Sequence, residues 1–133
     1  MEAYAQEIHD LHQFFQGYLL GEIAPDLMER FETVTDTGFT IVTADGAVID
    51  RDGIATYIRD GHGSRPEFTI WTEKVALKQH VGDILIVTYE EWQTIKDVTT
   101  SRTSTVVFKE DASLPNGLRW LHVHESGLKE IAT

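Results

Sequence analysis

Two histidines stand one residue apart near the end of the chain, in the stretch LRWLHVHESG at residues 118–127. The alternation of side chains in this stretch has the two-residue period of a strand, so His122 and His124 share one face. Two imidazoles placed in this way can bind one metal ion, with Glu90 or another acid as the third ligand. No third ligand follows at a spacing typical of metal sites, and we therefore predict no metal.

Acid–base catalysis is a second kind of chemistry that the residue types allow. His12 lies beside the apolar stripe of the first predicted helix, so it could face the interior and act with Tyr18. Histidine is the commonest general acid or base, but a complete set of catalytic groups around it is not recognisable from the sequence. Asp50 and Asp52 lack the spacing of a calcium loop, and a helix cap explains Asp50 better.

The balance of charge excludes several classes of partner. The 133 residues include 11 Lys and Arg against 22 Asp and Glu, which gives a net charge of −11. Such a chain repels phosphate backbones and anionic lipids, so we predict no nucleic-acid and no membrane partner. No apolar run approaches the roughly 20 residues of a membrane span, and no secretory signal precedes the first helix. With no cysteine, we predict one cytoplasmic domain over residues 1–133, without a cofactor.

The first third of the chain has helical spacing, with a hairpin set into it. Apolar residues recur every three or four positions from Glu2 to Leu20, which predicts a long amphipathic helix. Pro25 is placed to begin a second, shorter helix, and Asp50 to cap a third. The two short strands predicted between these helices are Phe39–Thr43 and Ala47–Ile49.

After Pro66 the pattern becomes extended. The parity of the apolar residues shifts by one between Thr72 and Lys74, which predicts a β-bulge that bends the strand. Helices first and long antiparallel strands afterwards indicate an α+β fold. The later strands are predicted at Ile84–Ile95, Arg102–Lys109 and Leu118–Gly127.

The order of these elements resembles that of the nuclear transport factor 2-like (NTF2-like) superfamily, and within it the DUF4440 and SnoaL-like group. The residues that carry the resemblance are Tyr89 in VTYEEWQ, Thr105 to Phe108, and above all Trp120 to Gly127. The last string is similar to the closing Trp-x-x-Val-His-Phe-His-Arg-Ser-Gly of the association (hub) domain of calcium/calmodulin-dependent protein kinase II. The resemblance implies a cone-shaped, cystatin-like fold, with the long N-terminal helix packed in a strongly bent antiparallel sheet around a pocket.

The register of the superfamily implies which side chains line that pocket. Glu91 would meet Glu125 diagonally across the sheet, with Arg102 nearby as a counter-charge. Paired acids in a partly apolar pocket can raise each other's pKa and serve as general acid or base, whereas at a wet rim, or neutralised by Arg102, they would be inert. The ligand-binding residues that we predict are Tyr18, Tyr57, Trp71, Tyr89, Glu91, Arg102 and Glu125.

The pocket differs from that of the hub domain in its charge. The hub presents arginines suited to a carboxylate ligand, and this chain has Glu91, Val106 and Glu125 at those positions. Acidic side chains repel the anions that arginines attract. The hub's ligand is therefore not expected here.

The same register implies an outer sheet face that commonly forms the dimer contact in this superfamily. We predict a homodimer in which these side chains are buried and both imidazoles are hydrogen-bonded. The predicted interface residues are Trp92, Trp120, His122 and His124.

Two functions are compatible with these residues and this resemblance. The chain is either a small-molecule-binding protein, such as a SnoaL-like enzyme or a carrier, or a non-catalytic homo-oligomerisation module. An enclosed cavity with a few convergent polar groups favours the first, and a filled cone with an apolar outer patch favours the second.

Overall fold

A computed structural model describes residues 1–131 of the chain. Helix α1 (Ala3–Leu20) is followed by a 3₁₀ turn (Pro25–Met28) that leads into helix α2 (Glu29–Val34). Strands β1 (Thr35–Val42) and β2 (Val48–Asp50) and helix α3 (Arg51–Asp60) come next. The remaining strands are β3 (Phe68–Val81), β4 (Ile84–Ile95), β5 (Val98–Glu110) and β6 (Leu118–Ile131).

Helix α1 forms where the apolar spacing predicts it. Ile8, Leu11 and Tyr18 lie on its buried face. The helix ends at Gly21, whose φ of 87° is the left-handed conformation that suits glycine at a helix C-terminus. Asp50 caps α3, as predicted, because its side chain accepts a hydrogen bond from the Gly53 amide at 2.8 Å.

The six strands form one bent sheet in the order β2-β1-β6-β5-β4-β3. The closing strand β6 therefore lies between two partners. Its pairing with β1 is parallel, so the sheet is mixed, whereas an antiparallel sheet was expected. The predicted bulge in β3 is confirmed by the register shift between Glu73 and Ala76 and by the positive φ of Lys74.

A bulge in β6 changes the side on which Trp120 lies. Val107 of β5 pairs with His122 while Phe108 pairs with Trp120, which leaves Leu121 as an extra residue on β6. One inserted residue reverses the alternation of faces. The two faces of β6 therefore exchange at Leu121.

The prediction that Trp120 lies on the outer face is wrong for this reason. Its side chain is 2% exposed, and its ring meets that of Phe108 edge to face at 4.8 Å. The indole Nε1 donates to Oε2 of Glu7 on α1 at 2.8 Å. Trp120 is thus a core residue that ties the long helix to the closing strand.

The described part of the chain contains no helix that is long and apolar enough to cross a membrane. The extent of the predicted domain over residues 1–133 stays a prediction, and its last two residues lie outside the described part.

Candidate functional site

A cavity of about 530 Å³ lies between helices α1 and α3 and the inner face of the sheet. Most of its wall is apolar, as expected where amphipathic elements turn their buried faces toward each other. The aromatic side chains in the wall are Phe15, Phe31, Phe39, Tyr57, Phe68, Tyr89 and Trp120.

Four side chains of alternating charge form a row across one part of this wall. Glu91 of β4 is directly opposite Arg102 of β5, and Glu125 of β6 is the diagonal neighbour. Arg102 Nε lies 3.6 Å from Glu91 Oε2, and its Nη1 donates to Glu125 Oε1 at 3.4 Å. His12 of α1 completes the row, with Nε2 2.8 Å from Glu91 Oε1. We refer to His12, Glu91, Arg102 and Glu125 as the charged row.

The hydrogen bonds of His12 determine where its protons are. Nδ1 lies 2.7 Å from the carbonyl oxygen of Ile8, which can only accept, so Nδ1 carries a hydrogen. When Glu91 is ionised, Nε2 must also carry a hydrogen and the imidazole is cationic. The other state places the hydrogen on Glu91, which then donates to Nε2. In either state one hydrogen lies between the two groups, over a buried 2.8 Å contact, and a close histidine–carboxylate pair of this kind is common in acid–base chemistry.

The two carboxyl groups of the row are shifted in opposite directions. Burial alone would raise the pKa of Glu91, but the hydrogen bond and charge of His12, with Arg102 and Gln93, outweigh it and lower the pKa. Burial and the nearby charge of Glu91 raise the pKa of Glu125, although Arg102 acts against them. Burial raises the pKa of Tyr89 well above its ordinary value, and both carboxylates add to this effect.

The mouth of the cavity is formed by exposed and half-buried residues. Tyr57 is 63% exposed, and its hydroxyl accepts a hydrogen bond from Arg65 Nη2 at 3.1 Å. The Arg65 guanidinium lies 4.8 Å from the centre of the Phe68 ring, a cation–π contact. Asp45 and Leu128 also line this region.

A glycine bulge lies directly opposite Arg102. Thr103 pairs with Ser126 and Ser101 with Lys129, so Gly127 and Leu128 together face the single residue Arg102. Gly127 has a φ of 66°, the left-handed conformation of a bulge that begins with glycine. The bulge lets the side chain of Leu128 reach the cavity wall. Under strict alternation that side chain would point to the outer face.

Five of the seven predicted ligand-binding residues lie in the cavity wall, and two do not. Tyr18 is fully buried beneath it, and its hydroxyl donates to the Pro25 carbonyl oxygen at 3.3 Å. Trp71 lies on the outer face, because Phe68 and Ile70 point inward and the bulge of β3 comes only after Trp71. The predicted residues in the wall are Tyr57, Tyr89, Glu91, Arg102 and Glu125. Their role as ligand contacts stays a prediction.

Several residues of the wall are absent from the predicted set. His12 is one, and its place beside Leu11 on the buried stripe of α1 was the available signal. Arg65 and Asp45 come from loops, where no periodicity indicates direction. Leu128 follows the glycine bulge. The local sequence pattern does not show whether the strand has a bulge there or continues its regular alternation.

The outer face of the sheet carries the three other residues of the predicted dimer interface, which are Trp92, His122 and His124. Trp92 stacks on Trp71 with ring centroids 5.9 Å apart and planes at 17°. The Nδ1 atom of His122 lies 2.8 Å from Thr40 Oγ1, and the His122 and His124 rings are 6.3 Å apart. Among residues 1–131, no three His, Asp or Glu side chains are grouped as they would be around a metal ion.

This architecture defines the class of protein. A long N-terminal helix against a bent sheet, with a cavity between them, is the cone of the NTF2-like superfamily. An NTF-2 like protein of unknown function from Pseudomonas aeruginosa has a TM-score of 0.86 and 28% identity, over 93% of this chain and 97% of that one. The hub of calcium/calmodulin-dependent protein kinase II from S. rosetta has a TM-score of 0.62 and 21% identity, over 76% of this chain and 85% of that one.

Comparison of sequences narrows the class to one family. The sucrose-6-phosphate phosphohydrolase C-terminal family matches residues 4–129, and the chain belongs to it. Sucrose-phosphatase 1 of Nicotiana tabacum is 26% identical over 133 residues, which cover 96% of this chain. The chain spans 31% of the length of the curated relatives it matches. The narrower placement in the DUF4440 and SnoaL-like group stays a prediction.

Proposed function

We propose that this chain is a small-molecule-binding domain whose ligand occupies the cone. The observation that supports this function is the charged row, set into an otherwise apolar cavity of about 530 Å³. Small-molecule sites have volumes of about 300–1,000 Å³ and combine apolar walls with a few convergent polar groups. A cone that served only as a scaffold would be more stable if apolar side chains filled it.

The family suggests which molecules to test first. The tobacco relatives are named sucrose-phosphatases, and the family name refers to sucrose 6-phosphate. Sucrose and sucrose 6-phosphate are therefore the first polar probes, and the uncharged dye Nile red probes the apolar part of the cavity.

The three tryptophans of the chain provide a readout of where a probe binds. Trp120 lines the cavity, whereas Trp71 and Trp92 stack on each other on the outer face. In an NMR titration, a ligand in the cone should shift the indole N–H signal of Trp120 and leave the other two unchanged.

A matched pair of variants tests the contribution of the charged row. Glu91→Gln removes a buried charge from the cavity, and Glu90→Gln changes the next residue, which points outward toward Lys74. We expect Glu91→Gln to weaken binding by about tenfold, as for loss of one hydrogen bond to a charged group, and Glu90→Gln to bind like the parent. If none of the three probes binds, the cone is not the site. If a sugar binds both variants as tightly as the parent, Glu91 does not contribute to binding.

We propose homodimerisation through the outer sheet face as a second function of the same chain. The helices pack on the inner face, and the stacked pair Trp71 and Trp92 is only partly buried on the outer one. Partly exposed aromatic pairs are typical of interface cores. His124→Asp should lower the mass in solution measured by analytical ultracentrifugation, and His9→Asp, on the exposed side of α1, should not. A mass unaffected by His124→Asp would contradict this interface.

A further inference from the structure

We infer that the cone selects an uncharged ligand with several hydroxyl groups and excludes the phosphate ester of the same molecule. This inference rests on the proposed function, because it names the class of ligand for that site. It follows from the pairing of charges around the cavity and from the chemistry of the groups in its wall.

The cations of the charged row are already matched by carboxylates. Arg102 lies between Glu91 and Glu125, at 3.6 Å and 3.4 Å. His12 is bound to Glu91 at 2.8 Å. A phosphate group carries a charge of about −1.5 to −2 near neutral pH. Placed against this row, it would meet two carboxylates beside the two cations, so the attraction of the cations would be offset and its lost hydration would not be fully replaced.

The surroundings of the row add to this repulsion. Asp45 is a further anion of the cavity wall, and hydrogen bonds from the Thr43 hydroxyl and the Ala47 amide lower its pKa. The chain as a whole carries a net charge of −11. An anion therefore approaches the mouth against a negative potential.

Arg65 is the group through which an anion would have to bind. It lines the cavity at the mouth, where it donates to the Tyr57 hydroxyl and lies over the Phe68 ring. These contacts hold its guanidinium at the edge of the cavity. An anionic ligand would thus depend on Arg65, and an uncharged ligand would not.

The remaining polar groups suit hydroxyl groups. Carboxylate oxygens of Glu91 and Glu125 accept hydrogen bonds from hydroxyls, and the side-chain oxygen of Gln93 also accepts. The Gln93 amide nitrogen already donates to Glu91 at 2.8 Å. Around this polar region, Phe15, Phe31 and Phe39 present apolar ring surfaces, against which the C–H face of a ring-shaped ligand can pack. A polyhydroxylated ring meets both requirements.

The decisive experiment compares two probes that differ by one phosphate group. Sucrose and sucrose 6-phosphate are titrated into the protein at a pH of about 7.5, far above the ordinary pKa of a carboxyl group, and the Trp120 indole signal is followed. We expect sucrose to bind at least about tenfold more tightly, because like charges in contact are strongly unfavourable.

Three variants separate the causes of this preference. Glu125→Gln removes one negative charge from the row and should reduce the preference for sucrose, to about threefold, by improving binding of the phosphate. Glu130→Gln removes an exposed acid farther along β6 and should preserve the preference. Arg65→Gln should weaken the binding of sucrose 6-phosphate more than that of sucrose, because Arg65 lines the cavity mouth as a cation.

The outcomes distinguish this inference from the proposed function. If sucrose 6-phosphate binds as tightly as sucrose or more tightly, and Arg65→Gln abolishes its binding, the selectivity is wrong while the cone remains the site. If neither sugar binds but Nile red shifts the Trp120 signal, the hydroxylated class is wrong and the cone still binds small molecules. If none of the three shifts that signal, both proposals fail.

Discussion

Glu91 is the residue whose environment shapes the site most. Its side chain is 10% exposed, and burial without a partner would favour the neutral carboxyl group. His12 and Arg102 lie on opposite sides of it instead, and Gln93 donates a further hydrogen bond. The ionised form is therefore the stable one in the folded protein, and each partner contributes to keeping it so.

Removing His12 should be costly because it leaves that carboxylate buried with fewer partners. We expect His12→Ala to lower the free energy of unfolding by about 3–5 kcal/mol, the range for removing one partner of a buried ion pair. Urea denaturation measures this loss. His9→Ala, on the exposed side of the same helix, should change stability by no more than about 0.5 kcal/mol. Equal losses in the two variants would contradict the importance of the pair.

The opposite pKa shifts of the two carboxyl groups predict opposite pH dependences. The pKa of Glu91 is below its ordinary value of 4.5 in the folded state. The unfolded chain then binds more protons, so the stability that Glu91 contributes is present above 4.5 and is lost as the pH falls through the folded pKa. Plotted against pH, the excess stability of the parent over Glu91→Gln should shrink as the pH falls below 4.5.

Glu125 should behave in the opposite sense. Its pKa is raised above 4.5 in the folded state, so the folded protein binds more protons there and loses stability as the pH rises from 4.5 through the folded pKa. The stability of Glu125→Gln relative to the parent should therefore increase over that interval and then level off. Denaturation curves at a series of pH values test both statements, and parallel trends for the two variants would contradict them.

Bulges in the strands determine which side chains reach the cavity. The bulge at Leu121 turns Trp120 inward, and the bulge at Gly127 brings Leu128 to the wall opposite Arg102. Each inserts one residue where a regular strand would place the next side chain on the other face. The shape of the site therefore depends on two local irregularities of β6.

The glycine bulge can be tested without steric interference. Among the described residues, no atom other than those of Gly127 and its two chain neighbours lies within 4 Å of the position that a Cβ at Gly127 would occupy, so substitution there acts mainly through the backbone preference. We expect Gly127→Ala to lower the free energy of unfolding by about 1–2 kcal/mol because of the positive φ. Gly127→Asn should cost less, since asparagine tolerates this conformation. Equal stability of Gly127→Ala and the parent would show that the strand can adopt another register.

The molecule as a whole has two surfaces of different character, the open-mouthed cavity and the exposed outer face of the sheet. Trp120 belongs to the first and Trp92 to the second, although both were predicted at the interface. Substitution of Trp120 is therefore expected to affect stability, and substitution of Trp92 is expected to affect association.

Substitution of these two tryptophans should separate folding from assembly. Trp120→Phe removes the donor to Glu7 and should lower the free energy of unfolding by about 1–3 kcal/mol without changing the mass in solution. Trp92→Ser removes a ring from the outer face and should favour the monomer in analytical ultracentrifugation. If Trp120→Phe changes the mass and Trp92→Ser does not, the outer face is not the interface.

Much of the framework follows from local pattern. The spacing in α1, the cap at Asp50 and the bounds of β4 at Ile84–Ile95 were predicted and found, because helices and strands expose their period in consecutive residues. The family register also placed Glu91, Arg102 and Glu125 on the inner face, where they line the cavity. The strands alternate regularly in the few residues that lead up to each of these positions.

The remaining features depended on contacts between distant parts of the chain. Trp120 turns inward where its indole can donate to Glu7, 113 residues away, and the charged row joins His12 to Glu91 across 79 residues. The parallel pairing of β1 with β6 also comes from tertiary packing. A local window contains only one of the two partners of such a contact, and a one-residue bulge reverses every face that follows it. The periodicity of the chain therefore determined its elements, while packing between them decided which side chains face the cavity.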